Sequence, residues 1–206
     1  MMFDVQVFSK NSSHEQRRTI SLLILDASTS MQRHGDVPEK EVNRYLDALR
    51  EDSANHFASL VTFSDTYSLA IPLMPIGDIP RYKKYKADGN TLLWRTVKRA
   101  LQGLDETWQQ LSIWQKLRTH VVVCVMSDGE DNRSPRVNYP QAVQEYATRG
   151  RQNGWTLIPI GIGIDGRKLA RDLGFNEDLA ETVDASEAGI GKATTSFIDH
   201  TTQRIR

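Results

Sequence analysis

The chain has 206 residues, and its 26 Lys and Arg residues balance 26 Asp and Glu residues. This length is enough for one domain with a substantial core, and the zero formal charge excludes a global field that would recruit nucleic acid or an anionic membrane. The single cysteine, Cys124, excludes internal disulfides and cysteine-rich zinc sites. Its place in the apolar run VVVCVM predicts a buried side chain.

Hydropathy along the chain gives no sign of a membrane span or a secretion signal. No apolar segment is long enough to cross a bilayer, and the N-terminal MMFDVQVFSK lacks the basic-then-apolar pattern of a signal peptide. We therefore expect a cytoplasmic protein that binds neither membranes nor nucleic acid.

The first 75 residues alternate between apolar strands and one amphipathic helix. Residues 1–18 form an N-terminal extension in which Phe3, Val5 and Val7 alternate with polar residues, which predicts a short strand. A second strand is predicted at about 19–26, and a helix runs from Asp36 and Pro38 to about residue 50. Strands at 57–63 and 67–73 are separated by three polar residues, which predicts an antiparallel hairpin.

A basic segment and a long helix come next. Residues 74–90 are irregular and carry four cations that form either a solvated face or a local attraction for an acidic partner: Arg81, Lys83, Lys84 and Lys86. Helical apolar spacing then predicts one helix from Leu93 to about residue 115, with Trp94 and Trp114 used for packing. The apolar strand 119–127 is typical of a central parallel strand.

The remaining chain alternates helices and strands. Helices are predicted near 139–152 and 166–173 and at the C-terminus, with strands at 155–161 and 181–184. The whole pattern predicts an α/β fold, in which a doubly wound, mostly parallel sheet with one antiparallel edge strand has helices on both faces. This domain covers residues 19–206.

The segment SLLILDASTSM, residues 21–31, ends a strand in oxygen-bearing side chains. Residues two apart in an extended chain point the same way, so Asp26, Ser28 and Ser30 are expected to converge. Carboxylate and hydroxyl oxygens are hard ligands that suit Mg²⁺, Mn²⁺ or Ca²⁺. The alternative is a strand that simply ends in an Asp/Ser turn.

Two later residues extend this set. Thr91 lies in ADGNTLL, where its alternative role is to cap the following helix, and Asp128 lies in VMSDGED, where the alternative is a turn. Asp26 and Asp128 both follow strands, and ligands of doubly wound sheets gather at the carboxyl ends of strands where the strand order reverses. Taken together, five such residues favour a metal site over five unrelated turns and caps.

These residues resemble a known family. The order Asp-x-Ser-x-Ser, then Thr in a glycine-containing loop, then Asp after a later strand is similar to the metal-ion-dependent adhesion site of von Willebrand factor A domains. The segments LVTFSD, IPL and IPIGIG also resemble that family's second, third and fifth strands. Two departures are Thr29, where bacterial members often have Gly, and the N-terminal 18 residues, which align with nothing in the family.

The resemblance implies both ligand roles and a function. Ser28, Ser30 and Thr91 would bind Mg²⁺, or alternatively Mn²⁺ or Ca²⁺, directly or through water, while Asp26 and Asp128 would act partly through water. The chain would then be a stand-alone bacterial domain that binds an Asp or Glu of a protein partner through the metal. Such domains commonly accompany ATPases, kinases or phosphatases, which implies an adaptor in an intracellular system and not an enzyme.

Three other functions compete with this interpretation. The sequence GIGIDG at 161–166 matches a dinucleotide-binding pattern, but it follows a late strand instead of the first one. A metal-dependent phosphohydrolase would use Asp26 as the nucleophile, but Ser28 stands where its second carboxylate is needed, which leaves Glu130 and Asp131 as bases. Five histidines show no ligand spacing, and only His34 lies near the site: His14, His34, His56, His120 and His200.

Overall fold

A computed structural model describes residues 17–52, 54–134 and 138–202. Within them the strands are β1 (Arg18–Asp26), β2 (Asn55–Phe63), β3 (Tyr67–Pro75), β4 (Thr119–Ser127), β5 (Thr156–Ile162) and β6 (Glu181–Val183). The helices are α1 (Val37–Glu51), α2 (Leu93–Gln110), α3 (Ile113–Leu117), α4 (Tyr139–Gln152), α5 (Gly166–Leu173) and α6 (Glu187–Thr202). The strand predicted around Val5 lies outside the described residues.

The strands form one sheet in the order β3-β2-β1-β4-β5-β6. All neighbouring pairs are parallel except β2 and β3, which are antiparallel at the edge. This confirms the predicted doubly wound fold with one antiparallel edge strand. The chain leaves β1 in one direction to make β2 and β3, then returns to place β4 on the other side of β1, so the strand order reverses between β1 and β4.

The central strands are buried on both faces, which explains their continuous apolar sequences. Alternate residues of β1 and β4 enter two different cores, as the pleat requires. Ile24 and Val123 pack on the face covered by α2, α4 and α5, and Leu23 and Cys124 pack on the face covered by α1 and α6. Burial of Cys124 is thereby confirmed.

The prediction of one helix from Leu93 to about residue 115 is wrong in its second half. Helix α2 ends at Gln110, and Ser112 starts the separate helix α3 with a capping box. The Ser112 hydroxyl accepts from the Gln115 N–H at 3.3 Å, and the Gln115 side chain accepts from the Ser112 N–H at 2.8 Å. A cap of this kind satisfies backbone donors that a continuous helix would satisfy itself.

The break also changes the role of a tryptophan. Trp94 packs against the core as predicted, but Trp114 on α3 is 68% exposed, so the packing prediction is wrong there.

Among the described residues, no helix has the length and apolar composition that a bilayer crossing requires.

Candidate functional site

The first part of the site is the turn that follows β1. Asp26 is fully buried, and its Oδ1 accepts from the Ser28 N–H at 2.8 Å. The next residues, Thr29–His34, form a 3₁₀ helix. The side chains of Asp26, Ser28 and Ser30 therefore converge through a turn and a helical segment. The chain is still extended at Ser28 but is helical from Thr29, so the side chains converge as predicted while the prediction of an extended chain as far as Ser30 is wrong.

Hydroxyl groups connect the end of β1 to the end of β4. The Oγ atoms of Ser28 and Ser30 are 3.0 Å apart, and the Ser30 hydroxyl donates to Asp128 Oδ1 at 2.7 Å. Ser28 and Asp128 are buried while Ser30 is exposed. The oxygen cluster therefore lies at the sheet edge and opens to solvent on the side of Ser30.

The loop that carries Thr91 is hydrogen-bonded to the turn after β1. The Asp88 N–H donates to the Ala27 carbonyl at 2.8 Å, and the Thr29 N–H donates to the Gly89 carbonyl at 2.9 Å. Gly89 has φ +83°, a backbone conformation that favours glycine, and a Cβ on it would also displace the Asp65 side chain. Thr91 is buried, and its Oγ1 is 3.7 Å from the position that a Cβ on Gly129 would occupy.

The alternative role of Thr91 as the cap of α2 is not what the structure shows. The Trp94 N–H at the start of α2 donates to Asp131 Oδ2 at 2.7 Å, and the Arg95 N–H donates to the Ser134 hydroxyl at 3.1 Å. The Thr91 N–H donates to the Asn132 side chain at 2.9 Å. The loop after β4 therefore caps α2 and holds Thr91 next to Gly129, the residue that follows Asp128.

Burial and hydrogen bonds act in opposite directions on Asp26. Burial raises the pKa of this carboxyl to about 6, against the opposing effect of hydrogen bonds from Ser127 and Ser28, and the nearby Asp128 charge raises it further. The Ser127 hydroxyl donates to Asp26 Oδ2 at 2.5 Å. The Asp26 main-chain carbonyl accepts from the Tyr85 hydroxyl at 2.8 Å. A buried carboxylate held this way favours a nearby cation.

Arg33 supplies a cation beside the other carboxylate. Its Nη2 is 2.9 Å from Asp128 Oδ2, with 52% of the arginine side chain exposed. Its Nε donates to His34 Nε2 at 3.2 Å. His34 is buried, and burial followed by the Arg33 charge lowers the pKa of its imidazole.

The sequence did not reveal the supporting roles of five residues, among which Asp131 had been considered only as a base: Arg33, Tyr85, Ser127, Asp131 and Asn132. Ser127, Asp131 and Asn132 flank Asp128 in the run SDGEDN, so the density of polar residues there was the available signal. Nothing in the sequence connects Arg33 or Tyr85 to the two carboxylates, because those contacts depend on how separate loops meet.

The glycines of GIGIDG do not form a phosphate cradle. A Cβ on Gly161 would collide with the Ile164 carbonyl, and one on Gly166 would collide with the Glu181 carbonyl, so both glycines allow close backbone packing. The N–H groups at the start of α5 donate to the Asp165 side chain at 2.8 and 3.2 Å. An anion at this helix terminus would meet a carboxylate instead of open donors.

The oxygen cluster fits a hard divalent cation. No group of three or more His, Cys, Asp and Glu side chains is placed for metal binding within the part of the chain that the structure describes, and the cluster contains two carboxylates and three hydroxyls instead. The separations of 3.0 and 2.7 Å within the cluster are hydrogen bonds between its oxygens, and carboxylate and hydroxyl oxygens are the hard ligands that Mg²⁺ takes.

Comparison with known proteins identifies the fold. No protein-family model matches the chain, and no curated protein matches it. Proximal thread matrix protein 1 from the mussel byssus matches with TM-score 0.66 at 14% identity, over 91% of this chain and 47% of that one. A von Willebrand factor type A structure from Catenulispora acidiphila matches with TM-score 0.60 at 14% identity, over 92% and 43%.

Another structure of the mussel protein has a zinc-occupied MIDAS (metal-ion-dependent adhesion site) motif. It matches with TM-score 0.60 at 15% identity, over 91% of this chain and 46% of that one. The present chain spans about half the length of these solved chains. At such low identity the likeness establishes the fold alone, and that fold is the von Willebrand factor A fold.

Proposed function

We propose that this chain, with its von Willebrand factor A fold, binds a divalent cation and uses it to hold a carboxylate of a protein partner. The ligands are Asp26, Ser28, Ser30, Thr91 and Asp128, and the cation is Mg²⁺, with Mn²⁺ or Ca²⁺ as alternatives. The convergence of oxygens from three separate loops at the reversal point of the sheet carries this proposal.

The hydrogen bonds of Asp26 favour a bound ion that can still attract a carboxylate from a partner. One Asp26 oxygen accepts from the Ser28 N–H and the other from the Ser127 hydroxyl, which favours contact with the ion through a hydroxyl or water. Neutral hydroxyls then supply much of the contact. A cation with few direct carboxylates retains positive character and attracts a further carboxylate.

The partner supplies an Asp or Glu side chain to the ion. The resemblance to metal-dependent adhesion sites supports this choice, and the zinc-occupied MIDAS motif of the mussel protein supports a divalent cation at the site. We further propose an adaptor role in a cytoplasmic bacterial system, with an ATPase, kinase or phosphatase as the partner. The exposed cations between Arg81 and Lys86 would add a weak attraction for an acidic surface.

Hydrolysis with Asp26 as nucleophile is the weaker proposal. Asp26 is fully buried, and both of its oxygens are engaged, so an attack on phosphorus would need the strand end to rearrange. The residue two positions later is Ser28, which cannot act as an acid and base near neutral pH. Asp131 caps α2, which removes one of the two bases that the sequence offered.

Capture of partners from native lysate, with Mg²⁺ or with chelator, tests the proposal. A true partner is retained with Mg²⁺, is lost with chelator and with Thr91→Ala, and loses affinity when one particular Asp or Glu of its own is changed to Asn or Gln. The matched control is Thr66→Ala, because Thr66 is an exposed threonine on another loop. Retention that is indifferent to chelator and to Thr91→Ala would contradict the proposal.

A further inference from the structure

We infer that a cavity beside the metal site binds a basic side chain, Lys or Arg, of the same protein partner. This inference rests on the proposed function for the identity of the partner. The cavity has a volume of about 280 Å³ and lies between the loop after β4, the loop after β5 and helix α5. Its size is just below the range of about 300–1,000 Å³ for pockets that hold whole small molecules, and it suits one long side chain.

The cavity borders the proposed metal site at Gly129. This residue lines the cavity, follows Asp128 directly, and lies against Thr91, whose Oγ1 would be 3.7 Å from a Cβ at Gly129. A partner segment that gives a carboxylate to the ion would therefore pass the mouth of the cavity. A neighbouring side chain of that segment could enter it.

The charged groups that line the cavity are mainly acidic. They are the carboxylates of Glu130, Asp131, Asp165 and Asp172 and the ammonium group of Lys168. Asp131 is fixed by the N–H groups of Trp94 and Ser134 at 2.7 and 2.6 Å. Carboxylates that are already oriented attract a cation with little reorganisation and repel an anion.

The remaining walls suit the stem of a long cationic side chain. Leu93, Trp94, Ile164 and Leu169 provide apolar surface, against which the methylene groups of Lys or Arg pack while the charge stays near water. An indole also attracts a nearby cation. An acidic rim on an apolar cavity therefore selects a basic side chain over an acidic or purely apolar one.

Lys168 shows that the rim of this cavity accepts an ammonium group. Its Nζ is 2.6 Å from Glu130 Oε1 and 3.4 Å from Asp172 Oδ2, and about half of its side chain is exposed. A partner cation would compete with Lys168 for these two carboxylates. Removing the Lys168 charge should therefore strengthen binding of a basic side chain.

The test uses N-acetyl-arginine methyl ester as a probe, in chelator, with the full chain followed by NMR. We expect saturable shifts of the Gly129 and Ile164 amides and the Trp94 indole, with a dissociation constant of about 1–10 mM, as for a weak single-side-chain contact. N-acetyl-norleucine methyl ester, which has an apolar side chain and no charge, should produce no saturable shifts. Equal responses to both esters, or shifts spread over the surface, would overturn the inference.

Two variants on α5 sharpen the test. Lys168→Met should bind the arginine probe about three- to tenfold more tightly. Arg171→Met, which removes an exposed arginine paired with Glu177 on the same helix, should leave affinity unchanged. The double variant Glu130→Gln, Asp172→Asn should weaken binding, and unchanged affinity in it and in Lys168→Met would contradict the inference.

The metal plays no part in this measurement. If the arginine probe binds as expected while partner capture is indifferent to chelator, the proposed metal function fails and the basic-side-chain cavity stands. If metal-dependent capture succeeds while the two esters bind alike, the cavity inference fails alone.

Discussion

The two carboxylates at the reversal point of the sheet are neighbours, yet they are held in opposite ways. Asp26 is fully buried and accepts hydrogen bonds from neutral donors, the Ser28 N–H and the Ser127 hydroxyl. Asp128 is nearly as buried, but it is paired with the guanidinium of Arg33, which is about half exposed. Asp26 therefore has no positively charged group among these partners, whereas Asp128 has the guanidinium of Arg33.

This difference indicates how each carboxylate would respond to a bound divalent cation. The ionised Asp26 is destabilised by burial, which raises its pKa to about 6, so a divalent ion would relieve that unfavourable charge. At Asp128 the ion would instead compete with Arg33, because this carboxylate already has a cationic partner. We therefore expect Asp26 to supply most of the affinity for the metal and the Asp128–Arg33 pair to adjust it.

The largest expected effect is on metal affinity at Asp26. Asp26→Asn keeps the size of the side chain and an acceptor for the Ser28 N–H but removes the charge, so Mg²⁺ affinity should fall at least about 100-fold. Calorimetric titration measures it. Asp78→Asn is the matched control, because Asp78 is exposed in the 3₁₀ helix after β3, at the opposite edge of the sheet. Equal affinity in the wild type and Asp26→Asn would remove Asp26 from the site.

The second effect is on the pH dependence of stability, measured by urea unfolding in chelator. The folded-state pKa of Asp26, about 6, lies above the ordinary value of 3.8, so folding favours the protonated form. The free energy of unfolding therefore falls as pH rises between about 4 and 6. Asp26→Asn lacks this titration and should be more stable than the wild type at pH 7 by up to about 3 kcal/mol.

The two proteins should converge in stability near pH 4, where Asp26 is protonated in the folded protein. A stability difference that stays constant from pH 4 to pH 7 would show that burial of the Asp26 charge is not its cause.

A smaller effect is expected at Arg33. Arg33→Gln removes a cation that competes for Asp128, and its exposed side chain limits the gain, so Mg²⁺ affinity should rise about two- to fivefold. Arg50→Gln is the control, because Arg50 pairs with Asp47 on α1, away from the site. Lower affinity in Arg33→Gln would mean that Arg33 helps to hold the metal site together.

No effect at all is expected in assays of phosphoester hydrolysis. Asp26 is enclosed and Ser28 replaces a second carboxylate, so the chain with Mg²⁺ should release no p-nitrophenol from p-nitrophenyl phosphate above the buffer rate. Metal-dependent release that disappears in both Asp26→Asn and Asp128→Asn would establish the hydrolase instead.

The fold could be predicted from the sequence because its signals are local. Apolar runs such as VVVCVM mark central strands, and the hairpin of β2 and β3 is marked by its three-residue connection. The break after Gln110 was missed because apolar spacing continues across it. The pattern Ser112-x-x-Gln115 was the local signal that could have revealed the new helix.

The five proposed ligands could be named from the sequence, but the groups that support them could not. Asp26 and Asp128 could be placed together because strand ends meet at one sheet edge. The cap that Asp131 provides for α2 and the ion pair of Arg33 with Asp128 join residues far apart in sequence. Such contacts depend on the paths of three loops, which composition and periodicity do not specify.

Water-proton relaxation by Mn²⁺ tests the central claim most directly, because it reports both binding of the ion and the water that remains on it. We predict a relaxation enhancement that saturates at one Mn²⁺ per chain, decreases when acetate replaces bound water, and is absent in Asp26→Asn. Enhancement of equal size in Asp26→Asn, or enhancement that acetate leaves unchanged, would contradict a cation site at these five residues that is open to a partner carboxylate.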